Sequence, residues 1–316
     1  MTKTKPTWAL AAALILTSSA LYAQQSPMPE DIAWTLIEIG HTVDSPKTAA
    51  LYAPLQGKEP YHGVKVERDV NYGPADRNLL DIFLPEAASA ARPVLIFVHG
   101  GAFIGGNKRG PDGSPFYDNI MLWAVKNGFV GVNMTYRLAP QNPWPAGAED
   151  VGAAVAWVVQ NIAARGGDVS RIYLMGHSAG AVHVADYVSH PQFFKVKDGG
   201  LKGAIMLSGI YDLTGNKLGS AEKSYFGTDA SRYAEQSSVQ GLVATKTPFM
   251  IVTAELDPSV FGAQFNLLKA AACKGASGCP RAVVLPQHSH MSEVYSINTA
   301  DDRLTNQILD FVRSGK

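Results

Sequence analysis

The sequence predicts an α/β protein, a mostly parallel central sheet with helices on both faces. Strand-length apolar runs alternate along the chain with helical stretches, and such alternation means parallel strands joined by crossover helices. Some runs, such as PVLIFVHGG at 93–101, are apolar without a polar alternate, as strands covered on both faces read. Right-handed crossovers then give a doubly wound sheet, whose ligands bind at the carboxyl ends of the strands.

The elements follow in order. The opening stretch, MTKTKPTWALAAALILTSSALYAQQ, puts Lys3 and Lys5 before an apolar run from Trp8 to Leu16 and then small residues. That is the layout of a secretory signal peptide. The run is shorter than the roughly 20 residues a membrane span needs, so export to the periplasm or the medium is expected, with no stable membrane span. Cleavage after Ala23 makes 1–23 the signal peptide, although Leu21 is bulky and leaves Ala20 open as the site. Residues 24–63 form an N-terminal segment, a candidate cap, with a helical look at DIAWTLIEIG (31–40). The catalytic domain is 64–316.

VKVERDV and NLLDIFLP read as two strands joined by the turn NYGPADR, and PVLIFVHGG and GFVGVNMTYR follow as strands. In 148–167, Val151, Val155, Val158 and Ile162 keep helical spacing, with glycine as the stop. RIYLMGH is a strand, AGAVHVADYVSH a helix, and LKGAIMLSG and PFMIVTAE are two more strands. SVFGAQFNLLKAAA is helical, RAVVLP is the last strand, and DRLTNQILDFVRS closes as a helix with Leu304, Ile308, Phe311 and Val312 on one face.

Composition narrows the function. Lys plus Arg and Asp plus Glu are 27 each, so the net charge is zero and no nucleic-acid partner is implied. Cys273 and Cys279 lie in CKGASGC, and in an oxidising compartment a short disulfide loop is expected. Two cysteines without nearby paired histidines cannot complete a zinc shell, and no histidine pair has metal-ligand spacing on a helix. No metal is expected.

Ser178 stands in GHSAG (176–180), after an apolar strand and at the start of a helix. The bare G-x-S-x-G pattern arises by chance roughly 0.2 times in a chain of this composition, so its strand–turn–helix setting carries the weight. Glycines at 176 and 180 clear a tight turn that lifts the hydroxyl to a helix N-terminus. A serine hydroxyl needs a base, and sheets of this kind run Ser, then Asp or Glu, then His. PFMIVTAELDP puts Asp257 just past a strand end, with Pro258 marking the turn. Glu255 is the rival acid, nearer the strand. Asp212 in SGIYDL reads as structural. His288 and His290 both follow the final strand, and only one can be the base.

Donors for an oxyanion are expected in HGGAF (99–103), where Gly100 and Gly101 let bare backbone approach a substrate, and at the N–H of Ala179. His99 and His177 read as hydrogen-bonded braces of their loops.

HGGAFIGG, YRLAPQNPWPAGAEDV, GHSAG and TAELDP followed by HSHMS resemble the α/β-hydrolase superfamily. The likeness is to its carboxylesterase branch around hormone-sensitive lipase and the arylformamidases, over about 65–315. The resemblance implies an eight-stranded sheet, ester hydrolysis through an acyl-enzyme, and no cofactor. It implies a triad of Ser178, Asp257 and His290, with Gly100, Gly101 and Ala179 as the oxyanion hole. It also casts Tyr136 to Pro145 as a structural segment in which Arg137 is a brace. Ala102 stands where the lipase-like branch has a third glycine, and His177 where it often has aspartate before the serine. Both lean towards arylformamidases and bacterial acetyl- or feruloyl-esterases.

The expectation is a serine carboxylesterase acting on small to medium esters, with Phe103, Trp144, Tyr211, Val260 and Met291 lining the substrate pocket. An arylformamidase-like amide hydrolase would use the same triad. A non-catalytic binding protein on the same fold would show a broken one. The partner is then a small-molecule ester, and the oligomeric state is not legible.

Overall fold

All eight segments read as strands form them: β1 (Val64–Asn71), β2 (Leu79–Pro85), β3 (Arg92–Val98), β4 (Val130–Met134), β5 (Gly167–His177), β6 (Gly203–Leu207), β7 (Phe249–Leu256) and β8 (Arg281–Ser289). The chain is seen in a computed structural model that describes residues 28–87, 91–215, 217–275 and 278–315, besides Met1. The expected signal peptide, with both cleavage sites, otherwise lies outside the described residues.

The strands form one sheet in the order β1-β2-β4-β3-β5-β6-β7-β8. β2 runs antiparallel to both β1 and β4, and every other neighbouring pair is parallel. β3 shows why the runs lack polar alternates. Val94, Ile96 and Val98 enter the hydrophobic cluster on one face, and Leu95 and Phe97 enter the other. Both faces are dry, so both sets of side chains must be apolar.

The helices are α1 (Glu30–Ile39), α2 (Ser45–Tyr52), α3 (Asp118–Lys126), α4 (Ala146–Asn161), α5 (Ala179–Ser189), α6 (Ser220–Phe226), α7 (Tyr233–Gln236), α8 (Val239–Ala244), α9 (Ser259–Ala272), α10 (Ser292–Tyr295) and α11 (Arg303–Ser314). Val151, Val155 and Val158 of α4, Val182 and Val184 of α5, and Phe265 and Leu268 of α9 pack on one face. Leu36 of α1, Ile120 and Trp123 of α3, and Leu304, Ile308 and Phe311 of α11 pack on the other. Cys273, just past α9, is bonded to Cys279.

The N-terminal segment, expected as a candidate cap, is built into the body instead of resting over it. Ile32, Ala33, Leu36 and Tyr52 are buried in the second cluster. α1 lies against β8 and α2 against α10. Among the segment's described residues, only Val43 and Ser45 reach the cavity described next.

Candidate active site

Between β5 and α5 the chain reverses at Ser178, which holds φ 55° and ψ −122°. A side-chain-bearing residue rarely adopts such a backbone, and it persists only where its surroundings enforce it. They do so here through three close approaches. A Cβ on Gly176 would lie 2.3 Å from the Gly180 carbonyl oxygen, and one on Gly180 would lie 2.1 Å from that of Val98. The Ser178 N–H donates to the Leu207 carbonyl at 2.9 Å. Glycine at 176 and 180 is thus a condition of the turn. Ser178 stays partly exposed, and its hydroxyl holds no hydrogen bond to another described residue.

The loop after β3 packs directly on this turn. A Cβ on Gly100 would come 3.1 Å from both the His177 carbonyl oxygen and the Ser178 Cβ. Gly101 holds φ 130°, and a Cβ there would strike the Gly105 carbonyl oxygen at 2.2 Å. The N–H groups of Gly100, Gly101 and Ala179 donate to no described residue. Three open donors beside one hydroxyl are what a developing oxyanion requires.

Past β7, Asp257 is buried and accepts the His290 Nδ1–H on Oδ1 at 2.8 Å. Its Oδ2 accepts from Ser208 Oγ at 2.6 Å, Thr253 Oγ1 at 2.8 Å and the Ala254 N–H at 2.9 Å. Burial pushes this carboxyl up, but His290, Ser208 and the Ala254 N–H together outweigh it and hold the group below the ordinary carboxylate range. Glu255 is engaged elsewhere, accepting the Gln287 N–H at 2.7 Å. Asp212 accepts from the N–H and hydroxyl of Thr214, two residues on, a local turn motif.

Of the two late histidines, His290 meets Asp257. Its ring stacks on Phe261, with centroids 4.4 Å apart. His288 is buried beneath, its Nδ1 at 2.9 Å from Ser292 Oγ and its Nε2 at 3.1 Å from Asp301 Oδ2. His288 therefore holds the loop that carries His290. His177 donates from Nε2 to the His290 carbonyl at 2.8 Å, and burial pushes its imidazole down to about 3. His99 lies 4.4 Å from the Tyr136 ring in a stack and is likewise pushed down to about 3 by burial. Both are neutral braces. Arg137 is bound by its N–H to Asp150 Oδ2 at 2.7 Å and by Nε to Oδ1 at 2.9 Å, which clasps its loop to α4.

Ser178, His290, Gly100, Gly101 and Ala179 line one cavity of about 640 Å³. Of the residues expected to bind substrate, Phe103, Val260 and Met291 line it too. Trp144 and Tyr211 do not, and their expected pocket role is corrected. The Trp144 backbone N–H donates to the Tyr225 carbonyl at 2.7 Å, and the indole packs edge-on against His190 and Phe193. The Tyr211 N–H donates to Gln264 Oε1 at 2.8 Å and the ring is 2% exposed, so it too faces the core.

The sequence reading missed Tyr117, Ile210, Glu222, Phe261 and Tyr295, all of which line the cavity. Only Phe261 carried a signal, as one turn of a helix starting beside Asp257. Among the described residues that line it, Glu222 is the one Asp, Glu, Lys or Arg. A second cavity of about 550 Å³, edged by Arg68, Arg109 and Asp118, contains none of these groups.

Among the described residues, His177, His290 and Glu293 bring donor atoms within 4.8 Å of one another. His290 Nδ1 is committed to Asp257, His177 Nε2 to the His290 carbonyl and Glu293 Oε1 to Ser208. These bonds knit the loops behind Ser178.

The fold and site have counterparts. The BD-FAE family profile matches residues 80–271, more than half of the chain. Esterase LipQ of Mycobacterium tuberculosis is 34% identical over 244 residues, covering 70% of this chain and 56% of LipQ. The probable carboxylic ester hydrolase LipM of the same organism is 34% identical over 177 residues, 53% of this chain and 40% of LipM. The chain thus spans about half the length of these curated relatives. Among solved structures, esterase B of Lactobacillus rhamnosis superposes with a TM-score of 0.69 at 17% identity, covering 90% of this chain and 94% of that one. A bacterial heroin esterase does so at 0.67 and 21% identity, covering 92% and 98%. These two share the α/β-hydrolase fold with the chain.

Proposed function

Because the chain belongs to the BD-FAE family of α/β-hydrolases, we propose that it is a serine carboxylesterase acting on small to medium esters through an acyl-enzyme. The observation that carries the reading is the His290–Asp257 pair, closed at 2.8 Å, on the cavity that Ser178 enters from a strained turn. The names of LipQ and LipM support ester hydrolysis as the reaction class.

In this mechanism Ser178 Oγ attacks the ester carbonyl while His290 Nε2 takes its proton. Asp257 keeps the imidazole in the tautomer that protonates Nδ1 and stabilises the imidazolium. The oxyanion is received by the N–H of Ala179 and those of Gly100 or Gly101. His290 returns the proton to the departing alcohol, and water repeats the steps on the acyl-enzyme. Apo hydrogen bonds between nucleophile and base often close only with substrate present, which accounts for the unbonded Ser178 hydroxyl. The cavity of about 640 Å³ suits a small or medium ester better than a long-chain lipid. The signal-like N-terminus and the Cys273–Cys279 bond support action outside the cytoplasm.

The test is turnover of p-nitrophenyl acetate, butyrate and octanoate, alongside an aryl formamide, by the wild type and Ser178→Ala. Turnover of the short esters should fall by at least about a thousandfold in the variant. Near-normal turnover by Ser178→Ala, or preference for the formamide, would overturn the reading.

A further inference from the structure

Behind Asp257 lies a second carboxyl that the mechanism above does not use. Glu293, in α10, is 0% exposed, and Ser208, just past β6, is 2% exposed. The Ser208 hydroxyl lies 2.6 Å from Asp257 Oδ2 and also against Glu293 Oε1. A hydroxyl has one proton to donate. Two oxygen-to-oxygen contacts therefore need a second proton, which must sit on one of the carboxyls.

Proton accounting selects Glu293. Asp257 already receives donors on both oxygens, from His290, Thr253 and the Ala254 N–H, and such donors favour the ionised form. Glu293 meets only Ser208, and its Oε2 has no hydrogen-bond partner among the described residues. A bare carboxylate in a dry interior is heavily disfavoured.

We propose that Glu293 is a neutral acid and a positioning residue for ester hydrolysis. Its O–H donates to Ser208 Oγ, the Ser208 O–H donates to Asp257 Oδ2, and Asp257 is thereby fixed towards His290 Nδ1. The inference rests on the esterase reading for its role, though not for its chemistry.

The surroundings agree. Burial, reinforced by the charge of Asp257, pushes the Glu293 carboxyl well above the ordinary range, and Ser208 pulls it down by less. The other titratable groups facing it are His177 and His290, with donor atoms within 4.8 Å, and the Tyr211 phenol, which burial raises. His177 is kept neutral by burial, so it supplies no cation to hold Glu293 ionised. Ser208 holds φ 50°, a left-handed conformation uncommon for serine.

The experiment follows pH profiles with two probes. One is kcat/KM for p-nitrophenyl acetate, and the other is the second-order rate of fluorophosphonate labelling at Ser178, which needs no substrate. Glu293→Gln supplies an amide N–H where the acid supplied its O–H. It should stay within about threefold of wild type, with the acidic limb of both profiles unmoved. Glu293→Leu and Ser208→Ala should each lower kcat about tenfold with KM unchanged, and the double variant should lose no more than the worse single.

If Glu293 were ionised, Glu293→Gln would remove a charge near His290 and move the acidic limb down by about one pH unit or more. That shift would overturn the proposal, as would a Gln variant as impaired as Leu. Should Glu293→Leu fail to fold, Glu293→Gln and Ser208→Ala decide the matter. Esters left intact by a wild type that still labels would end the esterase reading while the labelling profiles continued to test the relay.

Discussion

Replacing Ser178 by glycine should destroy activity and stabilise the protein, and the second effect follows from backbone geometry. Ser178 sits at φ 55° and ψ −122°, a conformation that costs a residue bearing Cβ about 1–3 kcal/mol. Glycine removes that cost but makes the unfolded chain more entropic, by about 0.4–1 kcal/mol relative to alanine. The right control is Ser178→Ala, which also lacks the hydroxyl but keeps the Cβ. The difference between the two variants isolates the backbone. Glycine should come out ahead by about 1 kcal/mol. Unfolding entropy for a chain of this length is roughly 0.6 kcal/mol/K, so Tm should rise by about 1.5 °C. Differential scanning calorimetry resolves that difference, and urea midpoints give an independent check. Ser178 is also the N-cap of α5, where glycine outranks alanine even without strain, so the two effects act in the same direction. A glycine variant that melts at or below the alanine variant would refute the strain argument.

Three further outcomes are expected. Gly180→Ala puts a methyl 2.1 Å from the rigid Val98 carbonyl oxygen, so thermal scans should show a loss of roughly 3 kcal/mol or more, and labelling of Ser178 should fall about a hundredfold. Among the described residues, Glu222 is the only acid or base besides the histidines lining the cavity, so Glu222→Lys should drop the kcat/KM ratio of cationic to anionic acyl esters about tenfold, less at high salt. Asp186 is fully buried, and burial pushes its carboxyl up to about 6 against the opposing pull of Ser238 and His190. Between about 4, where the unfolded group titrates, and 6, the folded state holds more protons, so wild-type stability falls as pH rises and then levels off. Asp186→Asn lacks that slope, so its Tm advantage over wild type should grow across this window, and a constant difference would count against it.

The strands were legible because their signal is local. A strand such as β3, with Val94, Ile96 and Val98 on one face and Leu95 and Phe97 on the other, must read as an apolar run wherever it lies in the chain. The short helices α6 to α8 between β6 and β7 escaped notice because four to seven residues carry too little periodicity to register. Ser178, Asp257 and His290 could be singled out in the sequence because each was expected past a strand end in a fixed order, and the structure brings His290 and Asp257 together at 2.8 Å. Trp144 and Tyr211 were misread for the opposite reason. Proximity to a site loop in sequence does not say which way a side chain turns: the Trp144 indole packs against His190 and Phe193, and the Tyr211 ring is buried. Ser208 and Glu293 left no local trace, since their meaning arises only from meeting Asp257.

The parts of the site do not depend equally on the sheet. Ser178 and Asp257 sit at the ends of β5 and β7, so parallel pairing in the sheet's middle fixes them. His290 lies past β8, the edge strand, on a chain that must be held from outside. Gln56 donates from Nε2 to the carbonyls of Tyr295 and Ile297 at 3.0 and 2.9 Å. Asn119 donates from Nδ2 to those of Val294 and Ile297 at 2.9 and 3.0 Å. His41 donates to the Asp257 carbonyl at 2.9 Å. Two of these three clamps belong to the N-terminal segment, 216 or more residues away in sequence from what they hold. That segment therefore braces the loops that carry Asp257 and His290 more than it covers the cavity. A change at Gln56 should act through the position of His290 and leave the Ser178 turn as it is, because the turn is enforced by Gly176, Gly180, Val98, Gly100 and the Leu207 carbonyl, none of which Gln56 holds.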